Sequence, residues 1–208
     1  MARRSELKQD SLKRILEAAS TRLRAEGLAG AAIAPVMKDA GLTHGAFYAH
    51  FRDKEALAEA AFRHAFTEGR PKWIGAVRDR SWSARLTRLA RRYLRPGHRD
   101  ERANGCAFSA LGADAARAPN AFRRAYVEEL CKSIEAICDA PVQSPDADQR
   151  YEDAILLMAV CVGGLTLSRA VADRPLSDRI LSVCRSAVAT LSAGPDRQNE
   201  TSARGGSV

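Results

Sequence analysis

An all-α fold is what this 208-residue sequence predicts, on three observations. Aromatic residues make up only 6% of the chain while alanine, arginine and leucine abound, and no window alternates β-branched with polar residues as a half-buried strand would. Apolar positions recur at spacings of 3, 4 and 7. Gly and Pro then divide the chain at helix-length intervals.

Taken in order, residues 1–8 are polar and basic and read as an arm carrying Arg3 and Arg4. A helix over about 8–26 buries Leu12, Ile15, Leu16, Ala19 and Leu23 and ends at Gly27. The run from Ala34 to Ala40 is a short helix with Pro35 at its first position, closed by Gly41, a residue type that accepts positive φ. Leu42 fills the turn, and Thr43 offers a side-chain oxygen to the next helix, His44 to about His50, which Phe47 and Phe51 anchor inward. Asp53 caps a further helix from Lys54 through Leu57, Ala61, Phe62, Ala65 and Phe66 toward Gly69-Arg70-Pro71, a joint between domains. Helices follow at about 81–95, 106–117, 120–138, 148–172 and 177–192, about nine in all. Pro96-Gly97, Ala118-Pro119, Pro141 to Pro145 and Arg174-Pro175 separate them. From Gly194 the chain is polar and Gly/Ser-rich, the composition of a disordered tail.

Bulk properties narrow the classes of function. The net charge of +8 fits a nucleic-acid partner. It is spread unevenly: residues 1–60 carry 10 basic against 8 acidic side chains, 61–104 carry 12 against 4, and 105–208 carry 11 against 13. The excess lies outside the segment that would touch DNA. Five cysteines without a Cys-x-x-Cys pair fit reduced thiols and argue against a disulfide scaffold or a zinc site. No apolar signal core stands at the N-terminus and no run of about 18 apolar residues is present, so a soluble, cytoplasmic protein with no membrane partner is expected.

Residues 41 to 54 carry the chemistry. Gly45 and Ala46 are nearly without side chain at a helix start, which lets backbone approach a major groove. Thr43, Tyr48, His50 and Lys54 offer polar or cationic tips to phosphates, and His44 is the candidate for a base edge. The pattern Ile15-Leu16-Glu17-Ala18-Ala19, Gly27, Ile33, Ala40-Gly41-Leu42-Thr43, Gly45, Phe47-Tyr48, His50-Phe51 and Lys54-Glu55-Ala56-Leu57 resembles the N-terminal domain of TetR-family transcriptional regulators, over residues 8 to 60. That resemblance implies phosphate contacts at Thr43, Tyr48, His50 and Lys54, with His44, Gly45 and Ala46 nearest the bases. Two positions depart from it: Ala34-Pro35-Val36-Met37 replaces a commoner polar helix start, and Ala49 is small.

The remainder is longer than DNA binding requires, and divides as residues 1–54 for DNA, with 54–70 connecting, 71–193 for effector binding and dimerisation, and 194–208 as tail. Ala154 to Leu165 is apolar nearly all round, and Ile180, Leu181, Val183, Cys184, Ala187, Val188 and Leu191 form a second stripe. Pairing of the two helices across a two-fold axis is expected to use Leu157, Cys161, Gly164, Leu165, Ile180, Cys184, Val188 and Leu191; a buried intramolecular core is the other reading. The resemblance likewise implies dimer contacts in the last two helices, and a pocket among central helices that couples a small-molecule effector to the spacing of the two recognition helices. Candidate walls are Phe66, Trp73, Tyr93, Cys106, Phe108, Leu111, Tyr126 and Leu130. Arg85, Arg88, Arg91, Arg92 and Arg95 share one helix side and read as a solvated face, or as holders of an anion. Cys106, at a helix start near arginines, is the cysteine to test for a lowered pKa.

The leading expectation is therefore a homodimeric, ligand-released regulator of double-stranded DNA, a repressor on a pseudo-palindromic operator, with no metal and no cofactor. A redox- or electrophile-sensing regulator acting through Cys106 is the alternative. An enzyme is disfavoured, because His64 and His98 stand in no catalytic arrangement of Ser, Cys or carboxylate. An architectural DNA-binding protein would not need the apolar central helices.

Overall fold

A computed structural model describes residues 2–76, 79–139 and 147–192. These residues form nine α-helices joined by turns and short 3-10 segments, without a strand among them. The all-α expectation holds. The tail from Gly194 and the Pro141 to Pro145 separator lie outside the described residues.

Helix α1, Ala2–Glu26, starts well before Lys8, so residues expected as an arm are helical; the side chains of Arg3 and Arg4 lie outside the described residues. Its face of Ile15, Ala19 and Leu23 is buried and packs along α3, Lys54–Ile74. Between them sit α2, Ile33–Asp39, and a 3-10 segment, His44–Ala49. Pro35 falls at the third residue of α2, still within the first turn, where no backbone N–H has an intrahelical partner to lose. The α3 helix does not break at Gly69-Arg70-Pro71. It continues to Ile74 and closes at Gly75, φ 70°, whose N–H donates to the Pro71 carbonyl. Pro71 strips a partner from the carbonyl of Thr67, which is exposed and open to water.

Helices α4, Trp82–Tyr93, and α5, Pro96–Asp100, are followed by α6, Ala107–Ala115, and α7, Asn120–Cys138. The chain ends in α8, Ala147–Ala170, and α9, Arg174–Ser192, with Pro175 inside the first turn of α9 rather than between helices. Phe62 and Phe66 of α3, Phe108 of α6, and Phe122 and Tyr126 of α7 form one aromatic knot, with ring centroids 4.4 Å apart for Phe66 and Phe108 and 5.1 Å for Phe62 and Phe122. It joins the N-terminal helices to the larger helical body.

The α8 segment Asp148–Ala170 is long and apolar enough by length and composition to cross a membrane, a run the unaided sequence reading did not count because charged residues open it. Ala154, Leu157, Met158, Cys161 and Leu165 face the core, and α8 packs against α4, α7 and α9. Leu157, Cys161, Leu165 and Val188, expected at a dimer seam, are thus buried within one chain. Gly164 serves the same packing: an added Cβ would stand 2.7 Å from Cys184 Sγ and 3.2 Å from Leu94. What α8 and α9 leave uncovered shares only Leu191 with that expectation. Ile155, Leu156 and Leu167 on α8 and Leu176, Val183 and Leu191 on α9 are exposed, and a Cβ on Gly163 would meet nothing.

Candidate functional site

The helix-turn-helix is built from its carbonyls outward. Gly41 adopts φ +65° and ends α2. The Arg14 guanidinium of α1 donates to the carbonyls of Ala40 and Gly41, taking up acceptors that the helix end leaves free. Phe47, fully buried, and Phe51 turn the 44–49 segment inward beside α2, with ring centroids 5.8 Å apart. Asp53 caps α3 as expected, its Oδ1 accepting the Ala56 N–H at 2.7 Å. Thr43 does not cap: its side chain makes no such bond and is exposed.

With the anchors inward, Thr43, His44, Gly45, Tyr48, Ala49 and Lys54 are left on the surface, Tyr48 being 62% exposed. His44 and Tyr48 meet edge to face at 5.9 Å and form one polar ridge. A Cβ on Gly45 would meet nothing within 4 Å, so its bareness serves no contact inside the chain. Two expected positions differ. Ala46 is partly buried against the core, and Ala49 takes the exposed place. His50 is half-buried, with Nε2 2.8 Å from Ser11 Oγ, and so ties the segment to α1 rather than standing free for a phosphate. Arg52, exposed beside Asp53 with Nε 2.8 Å from its carboxylate, adds a cation at this edge that the sequence reading passed over.

Behind this surface, α1, α3, α4 and the segment leading into α6 enclose a cleft of about 1240 Å³. Of the expected walls, Phe66, Trp73, Tyr93, Cys106 and Phe108 line it. Leu111, Tyr126 and Leu130 do not: Leu111 is fully buried, Tyr126 stacks on Phe62 at 5.4 Å, and Leu130 packs against the core. The α1 contribution, Glu17, Ser20, Thr21 and Arg24, was missed; the one available signal was that Ser20 and Arg24 lie one helical turn apart on the side facing α6.

The arginines of α4 are not one solvated face. Arg85 is buried and donates to the carbonyls of Ile137 and Ala136 at 2.7 and 3.0 Å, closing the end of α7. Arg88 holds Asp79 with two bonds of 2.7 Å. The hydrogen bond from Arg88 places the Asp79 carboxyl below the usual carboxylate range. Arg91, Arg92 and Arg95 are exposed along the cleft.

The lowered thiol pKa expected at Cys106 is opposed by its surroundings. Cys106 sits at the N-cap of α6, yet burial pushes its pKa up, and nearby Arg169 does not offset this. Its backbone N–H donates to His98 Nε2 at 3.0 Å, which requires that nitrogen to be unprotonated. The proton therefore sits on Nδ1, which lies 2.7 Å from the Tyr93 carbonyl. Burial lowers the pKa of His98, and likewise of His64 and His50. The folded state holds these rings neutral while an unfolded chain protonates them below about pH 6.5. Their contribution to stability is complete above that pH and is lost as pH falls through the lowered values. Thermal melting should accordingly shift downward between about pH 7 and pH 5; an unchanged midpoint across that window would contradict the neutral assignment.

Among the described residues no group of three or more His, Cys, Asp or Glu is placed to hold a metal. Residues 15–61 match the sequence profile of the bacterial regulatory proteins, tetR family. The fold as a whole is similar to solved structures of TetR-family transcriptional regulators. One from Cytophaga hutchinsonii is 22% identical over 85% of this chain and 92% of its own, TM-score 0.65. One from Chloroflexus aurantiacus is 20% identical over 88% and 94%, TM-score 0.66. The reduced form of Escherichia coli NemR is 16% identical over 86% and 95%, TM-score 0.67. None of the curated proteins searched matches the chain.

Proposed function

We propose, from the premise that the N-terminal domain of this chain belongs to the tetR family of bacterial regulatory proteins and that its fold is theirs, that the protein is a cytoplasmic, homodimeric repressor. It binds a pseudo-palindromic operator and is released by a small molecule. It is a DNA-binding regulator and not an enzyme. Residues 1–54 serve DNA, and 71–193 serve the effector and the partner chain.

The observation that carries the reading is the exposed ridge of Thr43, His44, Gly45, Tyr48 and Lys54 on a segment whose apolar anchors are spent inward. Thr43, Tyr48 and Lys54 contact phosphates, His44 reaches a base edge, and bare Gly45 lets backbone approach the groove. His50 acts one step back, holding the ridge on α1 through Ser11. The uncovered apolar stripes of α8 and α9, Ile155, Leu156, Leu167, Val183 and Leu191 with half-buried Ile180 beside them, support a two-fold dimer, which would set the half-site spacing.

Release is supported by a single helix. α1 lines the cleft with Arg24, braces the end of α2 with Arg14, and holds His50 with Ser11. Asp114 of α6 also accepts the Leu28 N–H at 2.9 Å just beyond α1. A ligand that shifts α1 against α6 moves the recognition segment with it, so the two states differ in their affinity for DNA.

Replacing Lys54 by Ala should weaken binding to any duplex and lower the slope of log K against log salt by about 1. Tyr48→Ala should weaken binding with the salt slope nearly kept. Wild-type affinity in both variants, with the fold intact by circular dichroism, would refute the interface.

A further inference from the structure

We propose that the cleft takes an organic anion, an acidic group carried on a flat apolar body, and that Arg24 and Arg95 meet its charge. This rests on the effector reading above and adds the chemical class.

The cleft has two characters. Phe66, Trp73, Phe108 and Met158 give it an apolar wall. Seven cationic side chains line the rest, Arg24, Arg70, Lys72, Arg88, Arg91, Arg92 and Arg95, against three carboxylates, Glu17, Glu68 and Glu101. Arg70 is held by Glu129 at 2.6 Å, Arg88 by Asp79, and Lys72 by Glu68 at 2.8 Å. Glu17 pairs with Lys13, 3.8 Å away.

Four guanidiniums then remain with no carboxylate within 4 Å among the described residues: Arg24, Arg91, Arg92 and Arg95. Arg92 donates to the Lys72 carbonyl, and Arg91 and Arg95 have no hydrogen-bond partner among the described residues. Only the exposed Glu101 opposes them. Arg24 is the most telling of the four, because it is half-buried and its one partner is a backbone carbonyl, that of Ala103 at 2.5 Å. A desolvated guanidinium held by a neutral acceptor is an unfavourable arrangement that a bound anion would relieve.

A second group lacks its partner at the same place. Tyr93 is 3% exposed and lines the cleft, and among the described residues its hydroxyl has no partner beyond the Cys106 thiol beside it, which is at best a weak acceptor. Tyr93 packs edge to face on Trp73 at 5.2 Å and on His98 at 4.6 Å, so its ring continues the aromatic wall. An acidic oxygen in the cleft accepts from Arg24 and Arg95. The cation–aromatic arrangement orients the ligand with its charge toward α1 and the end of α4, and its flat body against Trp73 and Phe66. Because Arg24 belongs to the DNA-side helix, charge recognition and the motion of α1 become one event.

The test uses the full chain without DNA and two isosteric probes, 2-naphthoate and the neutral 2-naphthamide, titrated by calorimetry and by fluorescence of Trp73 in a Trp82→Phe background. Naphthoate should bind at least about tenfold more tightly than the amide. The Arg24→Gln/Arg95→Gln pair should erase most of that preference while leaving amide binding unchanged. Should the Arg24 change prevent folding, Arg91→Gln/Arg95→Gln on the exposed face carries the same comparison. Absence of naphthoate binding, equal or tighter binding of the amide, or a preference untouched by the variants would each overturn the proposal. Operator titrations with naphthoate separate the two claims: an anion that binds with this preference but leaves DNA affinity unchanged sinks the release reading and not this one.

Discussion

Val183→Asp should break the proposed dimer into monomers and weaken operator binding by on the order of 10²- to 10⁴-fold, the advantage that linking two binding units confers. Val183 is 58% exposed on α9, in line with Leu176 seven residues before it and Leu191 eight after. Leu167 at 58% and Ile155 at 45% continue the apolar surface on neighbouring α8. A two-fold contact uses the same patch on both chains, so one substitution places two carboxylates in the seam, each desolvated and without a partner. Light scattering would read the mass and a gel titration the affinity. A variant that stays dimeric at micromolar concentration would remove α9 from the interface.

Arg70→Met should lower stability by about 3 kcal/mol, at the lower end for breaking a buried ion pair. Arg70 donates to the Glu129 carboxylate at 2.6 Å, to its carbonyl and to Ser133 Oγ at 3.1 Å each, joining α3 to α7. Glu129 is 3% exposed. Burial alone would raise its pKa, but hydrogen bonds from Lys132 and Arg70 outweigh that and hold it below the usual value. Removing Arg70 leaves this carboxylate with Lys132 alone, 2.8 Å away at the solvent edge, which is why the loss stays near the lower bound. A fall in Tm of about 10 °C is expected for a chain of this size. Because the folded carboxyl has the lower pKa, the pair stabilises above the ordinary carboxylate range and its contribution disappears as pH falls through the lowered value. The variant should lose the corresponding part of the wild-type acid transition. A melting midpoint within a degree or two of wild type would show the pair to be dispensable.

Much of the DNA-side unit was legible because its signals are local. Gly41, Phe47, Phe51 and Asp53 each act through neighbours within a few residues, and their spacing fixes turn, anchor and cap. The finer assignments failed where a partner lies far along the chain. His50 looked free because Ser11, 39 residues away, is invisible to local reading. Arg85 looked solvated because the carbonyls it closes lie 51 and 52 residues on. On α8 the obstacle was different: a helix apolar nearly all round has no periodic signal to tell core from seam, so Leu157 and Cys161 were chosen where Ile155 and Leu167 are exposed. The cleft was half legible. Its aromatic wall follows from residue type, whereas the α1 side, with Arg24, depends on how α1 lies against the 102–104 segment and α6.

The pairing of two recognition segments on one duplex is tested most directly by hydroxyl-radical footprinting on DNA selected by the full-length protein. The account predicts two protected clusters related by a two-fold axis and centred a whole number of helical turns apart, about 10 bp or a multiple. Tyr48→Ala and Lys54→Ala should reduce both clusters together. A single cluster, or uniform protection of any duplex, would contradict it.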